Sequence, residues 1–386
     1  MALENNRRQQ KKEKRYFDYS LMFIVLFLLA FGLIMIYSTS SYKANLDTGD
    51  SAFYLKKQML ASCLGLVAMV VVANIPYQFW KKLAIVGYVG SIGLILLIIP
   101  FGVERNGAKR WLYIGGMSLQ PAEVAKLGMI LALATLVCRL GTKVVDTRRG
   151  FWTMFVVPLP VCLLVWKVTS NMSSALIIFA ISFLMLFVST PGYKRFFLLT
   201  LAGAAVVGLV ILYIVNSSSG DVGGFRGARV LAWLDPEAYA SGKGFQTLQA
   251  LYAIGSGGIF GKGLGKSMQK LGFIPEAQND MIFSIICEEL GLLGAIAVIL
   301  LFVILIWRMM IIANNARDLF GALLVVGVMG HISVQVILNI AVVTNTIPNT
   351  GVSLPFISYG GSSVMFLLVE IGIVMSVARG IRLREY

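Results

Sequence analysis

The sequence predicts an all-α polytopic membrane protein, and three observations lead to this fold class. The chain of 386 residues is 58% hydrophobic and only 13% charged, and its mean hydropathy of +0.82 lies well above that of soluble globular domains. Its apolar residues form ten runs, each long enough to cross a hydrocarbon core of ~30 Å, which takes roughly 20 helical residues. Lys and Arg are concentrated between alternate runs. We therefore expect a single membrane domain, 1–386, with ten transmembrane helices.

The ten runs are joined by short connections, with one exception. In chain order, the predicted spans are 19–39, 58–75, 83–101, 120–139, 151–167, 172–190, 195–215, 281–307, 318–344 and 361–378. The first span follows a basic tail, 1–16, and continues without a cleavage pattern of small residues, so we interpret it as a retained anchor. The exception is the long loop 216–280, which joins the seventh and eighth spans.

The cations between the spans predict the orientation. One side carries six in the N-terminal tail, two in "PYQFWKK", four across 139–149, two in "GYKR", two at Arg308 and Arg317, and three in the C-terminal tail, which makes 19. The other side carries Lys43, Lys56, Lys57, Arg105, Lys109, Arg110 and Lys167, which makes seven outside the long loop. Because short cytoplasmic loops are enriched in Lys and Arg, both termini are predicted to be cytoplasmic. Loops 102–119, 216–280 and 345–360 are then predicted to face outward.

Nucleic acid, metal and nucleotide sites are not indicated. The net charge of +15 is spread over short loops, where anionic lipid headgroups account for it. The cysteines, Cys63, Cys138, Cys162 and Cys287, lie in or beside apolar runs without metal-ligand spacing. The stretch "SGGIFGKGLGKS" departs from a nucleotide-binding P-loop, because Phe260 stands where that motif requires glycine.

Four carboxylates stand at the start of the eighth span, in "PEAQNDMIFSIICEELG" at 275–291. Asp280 lies at the first turn of the predicted helix, where the helix dipole favours an ionised carboxylate, so it is either a cap or a functional acid. By helical geometry Glu288 lies roughly 12 Å deeper and about 80° around, and Glu289 faces nearly opposite to Asp280. This is not the carboxylate pair of a glycosidase. A single outward acid beside basic loops suits a general base in a reaction that expels an anionic leaving group.

The remaining intramembrane polar residues have two interpretations. Glu123 and Lys126 share one helix face, either as a structural ion pair or as part of an electropositive pocket for a diphosphate headgroup. In the second case Arg105, Lys109 and Arg110 lie just above the pocket, with Trp111 at the interface, and Lys262 and Lys266 of the long loop could meet the same headgroup. We interpret Glu288, Glu289, His331 and Glu370 mainly as structural polar residues, with one of the two adjacent glutamates bonding a partner on another helix. A proton-handling role for His331 and a functional role for Glu370 stay open as alternatives.

Longer stretches in the three outward loops carry a family resemblance. They are "NGAKRWL" with "QPAEVAK" at 106–126, "LDPE" and "GFQTLQALYAIGSGGIFGKGLGKSMQK" within 234–270, "PEAQNDMIF" with "EELG" at 275–291, and "PNTGVSLPFISYGGSS" at 348–363. With ten spans and cytoplasmic termini, the chain resembles the SEDS family (shape, elongation, division and sporulation), which includes FtsW and RodA, over nearly its whole length. The wording of "SMQK" and "VVTNTIPNTG" favours the division-type member.

The resemblance implies an activity, a location and partners. The activity is an inverting glycosyltransferase that polymerises lipid II into peptidoglycan glycan strands at the outer face of the bacterial cytoplasmic membrane, with the division septum as the expected place. Implied partners are a class B penicillin-binding protein, which cross-links the product, and other division proteins. A lipid II flippase and a non-catalytic division scaffold stay open as alternatives.

The resemblance also implies roles for individual residues. Asp280 becomes the base that takes the proton of an acceptor sugar 4-hydroxyl while undecaprenyl diphosphate is expelled. The family's loop tryptophan and charged pair fall on Trp111, Glu123 and Lys126. Candidates to bind the substrate and stabilise the departing diphosphate are Arg105, Lys109, Arg110, Lys126, Lys262, Lys266, Ser358 and Tyr359. A divalent cation, Mg²⁺ or Mn²⁺, is the one cofactor that this chemistry leaves open.

Two departures from the family pattern are visible. Gln278 and Asn279 replace the usual His-Thr before the acid, which argues that histidine is not needed there. The stretch "SNMSSAL" at 170–176 lacks the acidic sequence that the family often has, so no catalytic role is expected for it.

Overall fold

A computed structural model describes residues 17–105, 108–114, 117–141, 152, 155–190, 192–216, 224–242 and 244–381. The predicted tail at 1–16 lies outside the described residues, as do parts of the predicted fifth span and of the long loop. The helices are α1 (Tyr19–Thr48), α2 (Phe53–Asn74), α3 (Gln78–Phe101), α4 (Pro121–Leu140), α5 (Pro158–Val168), α6 (Met172–Ser189), α7 (Tyr193–Asn216), α8 (Gly224–Leu234), α9 (Phe245–Gly257), α10 (Ile282–Asn314), α11 (Leu319–Val343) and α12 (Gly361–Ala378).

The structure confirms a helical membrane protein. Within the described ranges, nine helices are long and apolar enough to span a bilayer, namely α1 to α4, α6, α7 and α10 to α12. They correspond to nine of the ten predicted spans. The predicted span 151–167 coincides with α5, whose 11 described residues are too few to cross alone. The total of ten spans therefore stays a prediction.

Burial divides the helices into a centre and a periphery. α4 and α12 are the most buried of the long helices, followed by α11. α12 packs along α2, where Gly372 permits close approach, because a Cβ there would lie 2.7 Å from the carbonyl oxygen of Met69. α7 is the opposite case, since Phe196 is its one buried residue. α7 therefore offers almost its whole surface to surrounding lipid.

A small antiparallel sheet in the loop 102–119 was not predicted from the sequence. It contains β1 (Val103–Arg105), β2 (Ala108–Ile114) and β3 (Met117–Leu119), in the order β1-β2-β3. β2 contacts α3 and α4, and β3 contacts α12. The sheet therefore lies on the same end of the bundle as the start of α12.

The described part of the long loop is largely ordered structure. Helices α8 and α9 occupy much of it, and residues 258–280 follow as a series of turns. α9 packs against α10. The loop is thereby fixed to the bundle immediately beside the stretch 275–291.

The two ends of the helix bundle are held by separate sets of contacts. At one end Arg308 bonds Asp18 at 2.7 Å, and the Tyr77 hydroxyl donates to Asp318 at 3.0 Å. At the other end the loop 216–280 bonds the loop 345–360 and the last part of α1, the loop 345–360 also bonds the first part of α2, and the loop 102–119 bonds the α5–α6 connection. The sidedness predicted from Lys and Arg counts is consistent with this division. Which end is cytoplasmic stays a prediction.

Candidate active site

The loop 345–360 lies at the centre of the polar end and contacts the segments around it. Arg229 of α8 donates to the Asn349 carbonyl oxygen at 3.1 Å, and Ser173 of α6 donates to that of Thr350. The backbone N–H of Tyr359 donates to the Gln278 carbonyl oxygen at 2.9 Å. The loop therefore brings α6, α8 and the start of α10 to one place.

Asp280 stands where this loop meets the start of α10. Asn339 of α11 fixes its backbone by donating to the carbonyl oxygens of Asp280 and Val352, each at 2.7 Å. Gly351, at φ 68°, lies beside the side chain, because a Cβ added there would be 3.7 Å from Asp280 Oδ2. The backbone of the 345–360 loop thus comes close to the carboxylate, and the positive φ favours glycine there, although a Cβ would fit in the space.

The carboxylate of Asp280 is not a helix cap and has no ion-pair partner among the described residues. α10 begins at Ile282, and its N-cap is Met281, without a side-chain capping hydrogen bond. Asp280 as a residue is half-buried, and the protein atoms packed around its carboxylate raise its pKa to about 6; the charge of Arg229 opposes this rise and that of Glu276 adds to it. Desolvation therefore outweighs the helix-dipole effect that the sequence predicted.

The other carboxylates of the stretch 275–291 all bond lysines. Glu276 bonds Lys43 of α1 at 3.1 Å, Glu288 bonds Lys262 at 2.7 Å, and Glu289 bonds Lys270 at 2.8 Å. Glu289 also accepts from Ser38 of α1 at 2.8 Å. Glu288 and Glu289 are fully buried, so each is neutralised within the protein. Asp280 is the one carboxylate of the four that is not paired with a lysine or arginine.

A polar cavity lies where α8 and α9 meet the loop 345–360, and the sequence did not predict it. Its volume is about 210 Å³, and it is lined by Arg229, Gly242, Phe245, Gln246, Pro275 and Asn349. Gln246 links two walls, because it donates to the Pro275 carbonyl oxygen at 3.3 Å and accepts from Asn349 at 3.1 Å. Arg229 was missed because nothing in "GFRGARVLAWL" shows that α8 contacts a loop 120 residues later. The only available signal was a cation on a short amphipathic helix.

The predicted cations of the loop 102–119 are in different situations. Arg110 donates to the carbonyl oxygens of Thr169 and Ser170 at 3.2 and 3.1 Å, and burial lowers its pKa. Lys109 is exposed and faces Glu104 across the strand pair. Trp111 is half-buried opposite Val103 in the same pair. Arg105 has its backbone in β1, whereas its side chain lies outside the described residues. No contact within the described residues joins this loop to Asp280.

Glu123 and Lys126 form a buried ion pair of 2.7 Å at the start of α4. Both side chains are almost inaccessible, with relative exposures of 5% and 1%. Ser363 of α12 adds a hydrogen bond of 3.4 Å to Glu123. The pair is therefore linked to the loop 345–360 through the start of α12, while no described contact joins Lys126 directly to Asp280.

The other predicted binding residues are mostly engaged in internal bonds. Lys262 bonds both Glu288 and Ser256. The buried Ser358 accepts from the Leu354 N–H at 2.8 Å, and Tyr359 packs edge-on against Tyr54 at 5.1 Å. Lys266 is exposed. Lys266 is therefore the one of these four residues that could bind a ligand without first breaking a contact described here.

The predicted intramembrane polar residues meet between helices. His331 Nδ1 of α11 lies 2.8 Å from Glu370 Oε2 of α12, and both side chains are buried. This contact agrees with the inter-helix bonding expected for the pair. His331 is on the same face of α11 as Asn339, which bonds the Asp280 backbone, but it precedes Asn339 by eight residues, about two helical turns.

The described residues contain no group of three or more His, Cys, Asp or Glu side chains arranged to hold a metal ion. One carboxylate, Asp280, is available in the site. Mg²⁺ is commonly held by one or two carboxylates together with substrate phosphates, so the site fits a cation that arrives with a diphosphate and not a preformed all-protein metal centre.

Comparison with known families and proteins gives consistent matches over the full span. The FTSW_RODA_SPOVE family, described as cell cycle protein, matches residues 19–383. Stage V sporulation protein E of Bacillus subtilis is 38% identical over 367 residues, covering 94% of this chain and 97% of that protein. The probable peptidoglycan glycosyltransferase FtsW of Trichlorobacter lovleyi is 37% identical over 369 residues, covering 95% and 94%.

Two solved structures share the fold. One is a chain from a peptidoglycan synthase complex that coordinates polymerization and crosslinking, with a TM-score of 0.77, 28% identity, and coverage of 96% of this chain and 99% of that one. The other is the rod shape determining protein RodA of Thermus thermophilus, with a TM-score of 0.67, 26% identity, and coverage of 96% and 98%.

Proposed function

The chain belongs to the FTSW_RODA_SPOVE family, and from this premise we propose that it is a peptidoglycan glycosyltransferase that polymerises lipid II, with Asp280 as its general base. Relatives named probable peptidoglycan glycosyltransferase at 36–37% identity support the activity. The division-type role is supported by the FtsW names of these relatives, although the sporulation protein is as similar.

One observation carries the assignment of Asp280. In a stretch where three other carboxylates are paired with lysines, its carboxylate has no such partner, and the residue as a whole is half-buried. A pKa of about 6 leaves the group about nine-tenths ionised at pH 7 while making it a stronger base than an ordinary aspartate. These are the properties that a base for a sugar hydroxyl requires.

The chemistry balances with the groups at the polar end. As the acceptor 4-hydroxyl oxygen forms its bond to the anomeric carbon of the donor, its proton passes to Asp280. The bond from that carbon to the diphosphate oxygen breaks on the opposite face, which inverts the anomeric configuration. The electron pair leaves with undecaprenyl diphosphate, so negative charge moves from the base to the leaving group.

A cation near the leaving group would stabilise this charge. Arg229 is a candidate beyond those predicted from the sequence, because it lines a polar cavity and acts electrostatically on the Asp280 carboxylate. Lys109 and Lys266 are exposed and stay candidates for early capture of the headgroup. Lys126, Lys262 and Arg110 are engaged in internal bonds, as Arg229 is with Asn349, and no described contact links these three to Asp280, so their binding roles stay predictions.

A divalent cation also stays a proposal. Bound Mg²⁺ or Mn²⁺ would neutralise diphosphate charge, with Asp280 as the available protein ligand. Chelation followed by titration with Mg²⁺ tests this. Polymerisation that is unchanged in excess chelator would exclude the cation.

The surroundings of the enzyme follow from the same family membership. We propose a class B penicillin-binding protein as the partner that cross-links the glycan, in line with the synthase complex that shares the fold. We also propose cytoplasmic termini, an outward-facing Asp280 and a place among the proteins of the division septum.

Polymerisation of lipid II by the purified full-length chain with its cognate transpeptidase tests the function. Asp280→Ala should lower the rate of glycan-strand formation by about 10²-fold or more, as expected for loss of a general base. Glu237→Gln is the matched control, because Glu237 is an exposed carboxylate in the same long loop. Equal rates for Asp280→Ala and the parent chain would refute the assignment.

The same preparations separate the alternatives. A flippase would move fluorescent lipid II across liposome membranes without forming polymer. If the chain also transported lipid II and Asp280 served only polymerisation, the Asp280→Ala chain would keep the transport and lose the polymer. If the protein were only a scaffold, the Asp280→Ala variant would support growth of a strain from which the parent protein has been depleted.

A further inference from the structure

The segment 258–273, here called the clasp, is bound along a break in α10. The helix leaves helical geometry at Gly291, with φ 68° and ψ −167°. Four backbone bonds replace the lost intrahelical ones: Lys262 N–H to Glu288 O (2.9 Å), Gly263 N–H to Glu289 O (2.9 Å), Leu292 N–H to Gly258 O (2.9 Å) and Leu293 N–H to Ile259 O (3.2 Å). The broken helix is therefore completed by the backbone of the clasp.

Glycine makes this close contact possible. A Cβ at Gly261 would lie 2.2 Å from the Glu289 carbonyl oxygen, and one at Gly291 would lie 2.3 Å from the Gly261 nitrogen. The ion pairs of Lys262 with Glu288 and of Lys270 with Glu289 hold the same interface from both sides. The clasp is thus rigidly attached to α10 and does not extend freely into solvent.

The length of α10 gives the depth of the clasp. Trp307 is 54% exposed beside Arg308, a pairing of residue types that marks a membrane interface. A hydrocarbon core of ~30 Å takes roughly 20 helical residues, and counting that number back from Trp307 reaches Glu288. The clasp meets α10 at 288–293, so this contact lies at the other edge of the hydrocarbon core.

The exposed surface of the clasp is unusually apolar for a loop. Its exposed large apolar side chains are Ile259, Phe260, Leu264, Met268, Leu271 and Phe273, and Phe260 is 80% exposed. Such a concentration on one short segment marks a surface that is covered by something apolar. Lys266 stands among these residues, where its long side chain could reach phosphate groups while its methylenes stay in lipid.

We propose that the clasp is inserted into the membrane leaflet on the Asp280 side, with Ile259, Phe260 and Leu264 among acyl chains and Lys266 at the level of lipid phosphates. Irregular backbone is tolerated at the edge of the core because its polar groups are bonded to the broken α10. The clasp would hold the loop that precedes Asp280 at a fixed height above the bilayer. This inference requires only that α10 spans the membrane and is independent of the proposed enzymatic function.

Spin-label accessibility tests the insertion. Phe260→Cys and Leu264→Cys, in a full-length chain with its four cysteines replaced, are labelled with a nitroxide in vesicles of phosphatidylethanolamine and phosphatidylglycerol without any partner protein. Molecular oxygen concentrates among acyl chains, whereas a water-soluble nickel chelate stays in water. We therefore expect the labels at positions 260 and 264 to collide more often with oxygen than with the chelate, and a label at Glu237→Cys to collide more often with the chelate. Equal nickel accessibility at positions 260 and 237 would overturn insertion and favour an apolar protein partner for the clasp.

A second measurement avoids the cysteine replacements. Lipids that carry a diazirine in the acyl chain are photolysed around the unmodified chain in the same vesicles, and the labelled peptides are identified by mass spectrometry. We expect adducts on residues 259–271 as well as on α7, which has Phe196 as its one buried residue and is the internal positive control. Adducts on α7 without any on the clasp would contradict the proposal.

Discussion

At the scale of single residues, the protonation of Asp280 gives a measurable pH dependence. Its pKa is raised by burial to about 6, and only the deprotonated carboxylate can accept the proton of the acceptor hydroxyl. The rate of lipid II polymerisation should therefore rise as pH increases through about 6 and level off above pH 7. Single-turnover rates between pH 5 and 8 measure this, and a rate that is constant across the range would contradict the role of Asp280.

Two neighbours should shift that profile in opposite directions. Arg229 lowers the pKa of Asp280 and Glu276 raises it, so Arg229→Ala should move the rising limb to higher pH and Glu276→Gln should move it to lower pH. Arg229→Lys keeps the charge and serves as the control, with a limb close to that of the parent. Shifts of the same sign in the Ala and Gln variants would show that the electrostatic coupling has been misassigned.

The buried pair of Glu123 and Lys126 allows its two interpretations to be separated. Lys126→Met leaves a buried carboxylate uncompensated and should destabilise the chain by about 3–5 kcal/mol. The double variant with Glu123→Gln removes both charges and should recover most of that loss. Thermal unfolding in detergent measures the recovery.

Polymerisation by the same double variant then decides the role of the pair. If the pair is only structural, the double variant, whose stability is largely restored, should polymerise lipid II at close to the parent rate. If it forms part of a diphosphate pocket, the variant should be stable but slow.

At the scale of elements, hydropathy was enough to predict the helices but not their interruptions. Nine spans could be predicted because a bilayer demands about 20 apolar residues from each. The sheet at 103–119 is local, but its outer strands of three residues each are too short to show a strand pattern. The break at Gly291 depends on the clasp, and the site depends on a partner farther away, because Arg229 meets Asn349 across 120 residues. Asp280 was predictable because a carboxylate beside an apolar run stands out, whereas its lack of an ion-pair partner required the positions of Lys43, Lys262 and Lys270.

The break in α10 should be intolerant of any side chain. Gly291 has a φ of 68° and a ψ of −167°, a region that is essentially restricted to glycine. A Cβ there would also contact the backbone of Ile259 and Gly261 at 2.3–2.6 Å. Gly291→Ala should therefore destabilise the protein by about 2 kcal/mol or more, seen as lower yield and an earlier unfolding transition.

Gly93→Ala is the matched control for this change. Gly93 lies inside α3 with open space around it, so alanine should be neutral or stabilising by up to about 1 kcal/mol through helix propensity. Equal stability of the two variants would mean that the clasp does not complete α10 in the way its backbone bonds indicate.

At the scale of the whole molecule, the proposed catalytic residues that the structure describes lie at one end. The loops that carry Asp280, Arg229 and Asn349 bond one another, while the opposite end holds structural contacts such as that of Tyr77 with Asp318. A transporter needs a polar path between the two ends. The buried polar contact of His331 with Glu370 is enclosed between α11 and α12, and this one-sided arrangement favours polymerisation at one surface over translocation.

The orientation of these two ends is the prediction on which the biological role depends, because a lipid II polymerase must present its base outside the cytoplasm. The excess of Lys and Arg, 19 against seven, assigns the end with Asp18 and Arg308 to the cytoplasm. Glu237→Cys, on the opposite end, should react with a membrane-impermeant maleimide in intact spheroplasts, whereas Asn315→Cys, in the exposed α10–α11 connection, should react only after permeabilisation. The parent chain controls for its own four cysteines. Labelling of position 315 but not 237 in intact cells would invert the topology and remove Asp280 from the surface where glycan strands are assembled.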